Sequence, residues 1–318
     1  MQAAIILTMF SASNYHSAQI IKLVDAKAIR ARKFRVALET INGGAARTAK
    51  LLLAKLGCTI AGQNIKMDGD FVHMPEPNLK NLATFSAFAK KNKVAVGFAL
   101  DPDGDRLVLV SPTLGVLSEE YSVALAVQHI LTTIQKGPVV INQSTSRMSE
   151  DIARENKCRV YRSIVGEPSV VALMRAKKAV IGGEGNGGII YPRLHFGRDG
   201  LMGIALILDS ITHSKKTIDE LISALPRYAI AKDKVTLKNA NANIKVAFMP
   251  IKKMLIQVFK DVPHTTTDGV RFAWKDRWLH VRASNTEPII RLFAESPTIE
   301  ESADLIARAK KSLAKLIA

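Results

Sequence analysis

Three carboxylates at alternating positions, Asp101, Asp103 and Asp105, share one short loop, DPDGDR, between the apolar runs VAVGFAL and RLVLV. Like charges this close repel one another, and a bound cation would relieve that repulsion. Pro102 and Gly104 alternate with the aspartates and force a tight turn, which can aim all three carboxylates at one centre. Such hard oxygen donors suit Mg²⁺, which takes few protein carboxylates and completes its shell with water or phosphate oxygen. Arg106 follows at once, placed to receive a phosphate beside the metal. A solvated, inert acidic hairpin is the alternative reading. The loop is not an EF-hand, because Arg106 and Pro112 stand where that motif needs Gly and Glu. Nor is it the Asp-x-Asp-Gly-Thr of haloacid-dehalogenase phosphatases, since Asp105 occupies the threonine position.

Two further loops carry polar groups in patterns that suit ligands. In GGEGNGG, 182–188, five glycines let the backbone approach a ligand closely while Glu184 and Asn186 offer a carboxylate and an amide, groups that suit sugar hydroxyls. In RASNTEP, 282–288, a guanidinium, two hydroxyls, an amide and successive backbone N–H groups form a donor-rich concavity that suits a phosphate. Each loop taken alone reads equally as a glycine turn or a polar hairpin. Three of them in three successive units make a common purpose the better reading.

The elements that must position these loops can be read from the pattern. Strands at 34–39, 139–142, 159–162 and 179–183 alternate with helices at 44–57, 79–92, 118–134, 146–156, 168–177 and 199–212, which implies parallel sheets in two successive α/β units. From about residue 228 the texture changes to a strand, a helix over 242–260, three short β runs and a closing helix over 299–317, a smaller α+β domain with an antiparallel sheet. The expected boundaries are 1–19 for a short leader or the remnant of a missing first domain, then 20–136, 137–227 and 228–318.

Composition excludes several classes. No uninterrupted apolar run is long enough to span a membrane, and residues 1–10 lack the basic start of a signal peptide. Cys58 and Cys158 are the only cysteines, so a disulfide framework is not expected and a cytoplasmic location is. The net charge of +17 suits an anionic substrate and a basic surface. Nucleic acid is disfavoured as a partner, because no helix-turn-helix, zinc-finger spacing or aromatic RNA-binding motif accompanies the charge.

Taken together, the loops resemble those of the α-D-phosphohexomutases, the family of phosphoglucomutase, phosphomannomutase and phosphoglucosamine mutase. DPDGDR resembles the family's metal loop, GEGNGG its sugar loop and RASNTEPIIRLFAE its phosphate loop, while TINGGAA, VGE at 165–167 and FGRDG at 196–200 fit the surrounding pattern. The resemblance runs in order from about residue 17 to the end. It implies two α/β sandwich domains and a C-terminal α+β domain, the last three domains of a four-domain fold. It further implies Mg²⁺ on Asp101, Asp103 and Asp105, with Arg106 in support. Sugar contacts fall to Gly166, Glu167, Glu184, Asn186 and Gly187, and phosphate contacts to Arg282, Ser284, Asn285 and Thr286. The implied activity interconverts a hexose 6-phosphate and 1-phosphate, of glucosamine or mannose, through a hexose 1,6-bisphosphate.

In that family a phosphoserine on the first domain carries the phosphoryl group. About 33 residues precede the first strand here, too few for such a domain, so the nucleophilic serine is expected to be missing. Ser13, in SASN, has a passing likeness to the motif and reads as part of a polar turn. Two expectations stand side by side. One is a mutase inactive alone, with a separate chain as a candidate source of the first domain; the other is a non-catalytic module that binds sugar phosphates.

Overall fold

A computed structural model describes residues 2–236, 244–284 and 287–317. The chain divides into two compact units: Met1–Thr145 with Ser149–Leu225, and Ser146–Met148 with Pro226–Ala318.

The first unit holds two α/β layers. Its opening helices are α1 (Gln2–Ile21) and α2 (Ala26–Arg32). The first sheet then uses β1 (Arg35–Glu39), β2 (Thr59–Gln63), β3 (Val96–Leu100), β4 (Leu107–Ser111) and β5 (Gly115–Val116), in the order β2-β1-β3-β4-β5, with α3 (Ala45–Lys55) and α4 (Ala83–Lys91) between strands. Next comes α5 (Glu120–His129), prolonged by a π turn over Ile130–Ile134. The second sheet uses β6 (Val139–Asn142), β7 (Val160–Ser163), β8 (Ile181–Glu184) and β9 (Gly188–Ile190), in the order β7-β6-β8-β9. Helices α6 (Met148–Glu155), α7 (Glu167–Lys177), α8 (Gly200–Ser214) and α9 (Ile218–Ser223) complete the unit.

Both sheets are mixed where parallel sheets are expected. β2, β1 and β3 run parallel, as do β7, β6 and β8, but β4 joins β3 and β9 joins β8 antiparallel. The reason lies in the loops themselves. DPDGDR and the glycine loop are far shorter than the dozen or so residues a parallel crossover needs, so each can only return the chain as a hairpin. Strands β3 and β4 are buried on both faces, which explains their unbroken apolar runs. Phe85 and Phe98 are fully buried in this layer, and burying each is worth roughly 1.5–3 kcal/mol. Helix α8 is buried from Gly200 to Ile211 and packs on α5, β4 and β9, so it braces both hairpin strands at once.

Residues 11–14, read from sequence as a polar turn, belong to helix α1. Their polar groups find partners outside the helix: Ser13 Oγ lies 2.9 Å from Thr48 Oγ1, and Lys55 Nζ donates to Asn14 Oδ1 at 2.9 Å. Side chains satisfied in that way no longer compete with the helical backbone. Cys58 and Cys158 are both free thiols. Among the described residues no helix is long and apolar enough to cross a membrane.

The second unit is an antiparallel sheet of β10 (Ala229–Thr236), β11 (His264–Thr265), β12 (Val270–Ala273), β13 (Trp278–Ala283) and β14 (Ile289–Ser296), ordered β10-β14-β13-β12-β11. Helices α10 (Ile244–Val258) and α11 (Ile299–Ile317) accompany it. Its core joins Phe248 and Leu255 to Phe272, Leu279, Val281 and Leu292 of the sheet and to Leu305 and Ala309 of α11.

Candidate functional site

The aspartate loop is shaped by its own backbone. Gly104 has φ of 78°, which a residue with a Cβ rarely adopts, and its N–H donates to the Asp101 carbonyl at 3.1 Å. Asp101 is buried, and its Oδ1 accepts from Arg106 N at 3.0 Å; Asp103 is exposed and Asp105 half-buried. One oxygen from each aspartate comes within 4.8 Å of the others. Burial above all, with Asp105 and Asp103 adding their charge, pushes the Asp101 carboxyl up to about 7. Asp105 Oδ1 is buried and accepts no hydrogen bond from the described residues, with Arg106 Nε 3.7 Å away. A short-handed trio of hard oxygens with an orphaned, inward-facing one fits a divalent cation such as Mg²⁺. Arg106 adds a weaker contact to Asp101, 3.5 Å from its Oδ2.

The loop is docked on its neighbours through main chain. Gly200 N donates to Gly104 O at 2.9 Å, and Leu107 N to Gly187 O at 3.1 Å. Gly187 has φ of 88°, and a Cβ there would run into the Leu107 carbonyl, so this position accepts little besides glycine. The glycine loop and the aspartate loop are thereby held edge to edge.

Arg198, in the turn before α8, joins the loops through side chains. Its guanidinium pairs with Asp105 of the aspartate loop, with Glu184 Oε2 at 3.1 Å and with Glu167 Oε2 at 2.9 Å. Burial alone would lower the Arg198 pKa, but the three carboxylates outweigh it and raise it. Glu184 is 3% exposed and spends its other oxygen on Asn142 Nδ2 at 2.8 Å and Gly166 N at 2.9 Å. Thr145 Oγ1 in turn accepts from Gly185 N at 3.0 Å. The structure therefore brings Asp105, Gly166, Glu167, Glu184 and Gly187 into one connected set. Asn186 is half-buried, its Oδ1 accepting from Gly188 N at 3.1 Å. A cavity of about 300 Å³ lies beside this set, lined by Asp103, Asp105, Arg198 and Asp199 together with Ser13 and His16 of α1.

In the second unit Arg282 lies buried on β13, its Nε 3.2 Å from Asp268 Oδ1. Ser284 is also buried, with its Oγ 3.4 Å from Arg291 Nε. Asn285 and Thr286 lie outside the described residues. The strand register sets Arg282 directly opposite Arg291, so two guanidiniums share one face of the sheet. Arg291 also pairs with Glu287. A cavity of about 580 Å³ in this unit lies between the end of α10 and α11 among residues such as Phe259, Trp274 and Leu305.

Sequence reasoning missed Arg198, Asn142 and Arg291. Arg198 stands inside FGRDG, and an arginine immediately ahead of a helix-capping Asp-Gly was the available signal.

Comparisons with known proteins bear on the family and the fold. Residues 14–115, 118–228 and 234–312 match, in that order, the family models for phosphoglucomutase/phosphomannomutase α/β/α domain II, α/β/α domain III and the C-terminal domain. The chain is 35% identical over 286 residues to a phosphoglucomutase/phosphomannomutase of Thermococcus kodakarensis, covering 89% of this chain and 61% of that protein. It is 30% identical to a phosphoglucosamine/phosphogalactosamine mutase of Sulfurisphaera tokodaii, covering 92% of this chain and 64% of the relative. The chain thus spans about three fifths of the length of these curated relatives. Its fold matches that of a phosphoglucomutase/phosphomannomutase family protein from Burkholderia thailandensis with a TM-score of 0.79 at 22% identity, over 96% of this chain and 64% of the other. A phosphoglucomutase, parafusin, from Paramecium matches with a TM-score of 0.76 at 17% identity, over 96% and 62%. With three successive domain models and these relatives in agreement, the chain belongs to the phosphoglucomutase/phosphomannomutase family.

Proposed function

We propose that this chain carries the metal-binding, sugar-binding and phosphate-binding parts of a phosphohexomutase acting on glucosamine or mannose phosphates. The overall change moves a phosphoryl group between the 6-oxygen and the 1-oxygen of the hexose, with the hexose 1,6-bisphosphate as intermediate. One observation carries the reading: Arg198 ties Asp105 of the acidic loop to Glu184 of the glycine loop and to Glu167. The acidic loop, the glycine loop and the Gly166–Glu167 turn are thus held by one guanidinium.

Each group has a role that its surroundings allow. Asp101, Asp103 and Asp105 would hold Mg²⁺, which when bound neutralises phosphoryl oxygens. Arg106, half-exposed beside them, is placed to take a phosphate oxygen. Glu167, Asn186 and the open backbone at Gly166 face sugar hydroxyls. Glu184 orients the Gly166 turn through its N–H and fixes the Arg198 fork. In the second unit the half-buried Arg291 is placed to take a phosphate oxygen, and Arg282, held by Asp268 on the same face of the sheet, adds its positive charge behind it.

The test is a mutase assay on the purified chain. It uses glucosamine, mannose and glucose phosphates, with Mg²⁺ and a hexose 1,6-bisphosphate. Turnover of an amino sugar or mannose phosphate is expected once a separate phosphoserine-bearing first domain is added, and is abolished in Asp103→Asn, which also weakens Mg²⁺ binding to the chain at least about tenfold. Saturable binding of sugar phosphate without turnover on any of the three, even with that first domain supplied, would replace catalysis by a binding module.

A further inference from the structure

A second convergence of donors stands beside the aspartate loop and plays no part in the reading above. His16 comes from α1, His195 from the segment after β9, and Asp199 caps α8 with its Oδ1 accepting from Met202 N at 2.7 Å. The other oxygen, Oδ2, takes both imidazoles: His16 Nε2 at 2.8 Å and His195 Nε2 at 2.9 Å. The two rings lie 6.0 Å apart, tilted by 39°. One ligand atom from each of the three residues lies within 4.8 Å of the others. Asp199 is 5% exposed and rotationally fixed by its capping bond, so its Oδ2 is aimed. Helix α1 brings His16 to it from the far end of the chain. The cavity of about 300 Å³ opens on His16 and Asp199.

The same unit contains a useful contrast. Asp209 also meets two histidines, but they take different oxygens: His129 Nε2 meets Oδ2 at 2.9 Å and His213 Nδ1 meets Oδ1 at 3.2 Å. His213 Nδ1 is also 3.0 Å from the Asp209 carbonyl, one helical turn back. The His129 pairing braces α5 against α8, while the His213 pairing lies within α8 itself. At Asp199 both Nε2 atoms instead point to a single oxygen, on a side that faces open space.

We propose that His16, His195 and Asp199 form a binding site for a borderline divalent transition ion, with Zn²⁺ as the reference, separate from the aspartate loop. Two imidazole nitrogens and one carboxylate oxygen are donors that such ions favour, whereas Mg²⁺ favours oxygen alone. Three protein ligands leave a position open toward the cavity, for water or an oxygen of a bound anion. Without the ion each Nε2 donates its proton to Asp199 Oδ2. On binding, those protons move to Nδ1 or to solvent, and the freed lone pairs reach the ion. The site does not depend on the mutase reading, because none of its three residues is assigned a role there.

The experiment titrates Zn²⁺ into the full chain in excess Mg²⁺, which fills the aspartate loop, and repeats it with Co²⁺ to read a visible absorption band. One Zn²⁺ per chain is expected to bind and to resist displacement by Mg²⁺. His16→Gln and His195→Gln should each weaken it by more than the roughly 10–100-fold that loss of an outer-shell partner costs. Asp103→Asn should leave it unchanged. Both histidine side chains are partly exposed, at 30% and 42%, and the circular dichroism of each variant verifies that it folds. Absence of Zn²⁺ binding in excess Mg²⁺, or equal binding by folded His16→Gln and His195→Gln proteins, overturns the proposal.

Discussion

Arg198→Met isolates the charge that joins the three loops, because methionine keeps much of the apolar stem and removes the guanidinium. Glu184 is the partner that suffers most. Its side chain is 4% exposed, and Oε2 loses Arg198 Nη1 at 3.1 Å, while Oε1 keeps Asn142 Nδ2 and Gly166 N. Breaking a buried pair from one side costs about 3–5 kcal/mol, and the two surviving donors argue for the lower end, about 3 kcal/mol. Asp105 and Glu167 are more exposed, at 22% and 32%, so solvent screening limits each of those pairs to about 0–1 kcal/mol. The expected total is about 3–5 kcal/mol. With a urea slope of about 2 kcal/mol/M, the midpoint falls by roughly 1.5–2.5 M.

Far-UV circular dichroism follows this transition, while Trp274 and Trp278, both in the second unit, report that unit by fluorescence. Adding Glu184→Gln removes the stranded charge and is expected to recover at least about 1 kcal/mol, the signature of a coupled pair. The same variant has an opposite effect on the ion. Arg198 competes with a cation for Asp105, so its loss strengthens Mg²⁺ binding by about 1 kcal/mol, roughly fivefold. A stability loss under about 1 kcal/mol, or none recovered by Glu184→Gln, would refute the role assigned to Arg198. A folded variant that binds Mg²⁺ more weakly would refute the competition.

Two further outcomes test the loop packing and the second unit. Gly187→Ala forces a Cβ onto the Leu107 carbonyl at a φ of 88° and endangers the Leu107 N to Gly187 O bond; a loss of about 2–4 kcal/mol in the same urea assay is expected, and a loss under about 1 kcal/mol would show that the hairpins are not held edge to edge. Burial pushes the His280 imidazole down to about 4 from its ordinary 6.5, with Nε2 donating to the Asp268 carbonyl at 2.6 Å. The unfolded chain therefore takes up the proton first. Stability from this group is intact above about 6.5 and declines as pH falls toward 4, by at most about 1.4 kcal/mol per pH unit and about 3 kcal/mol in all. Urea midpoints read by tryptophan fluorescence across that window check it, and a flat profile would count against a neutral, buried His280.

What could be read in advance was what lies close along the chain. The alternating aspartates, the glycine run and the strand–helix rhythm are local patterns, and α11 is found over the residues its periodicity marks. Arg198 was out of reach because its partners sit 93 and 14 positions away, and no spacing rule connects an arginine to a carboxylate on another strand. Helix α1 was out of reach for a related reason: SASN has the composition of a turn, and Thr48 and Lys55, far along the chain on α3, supply partners that let it stay helical. The same long-range competition separates the residues marked for ligands into two kinds. Glu184 and Arg282 are buried with protein partners, so a ligand could reach them only by displacing Arg198 or Asp268. Asp103, Glu167 and Asn186 keep exposed surface and can meet a ligand at no such cost. Counting donors in a sequence treats these two kinds alike. The buried ones hold the loops in shape, and the exposed ones are where substitution should change ligand binding before it changes stability.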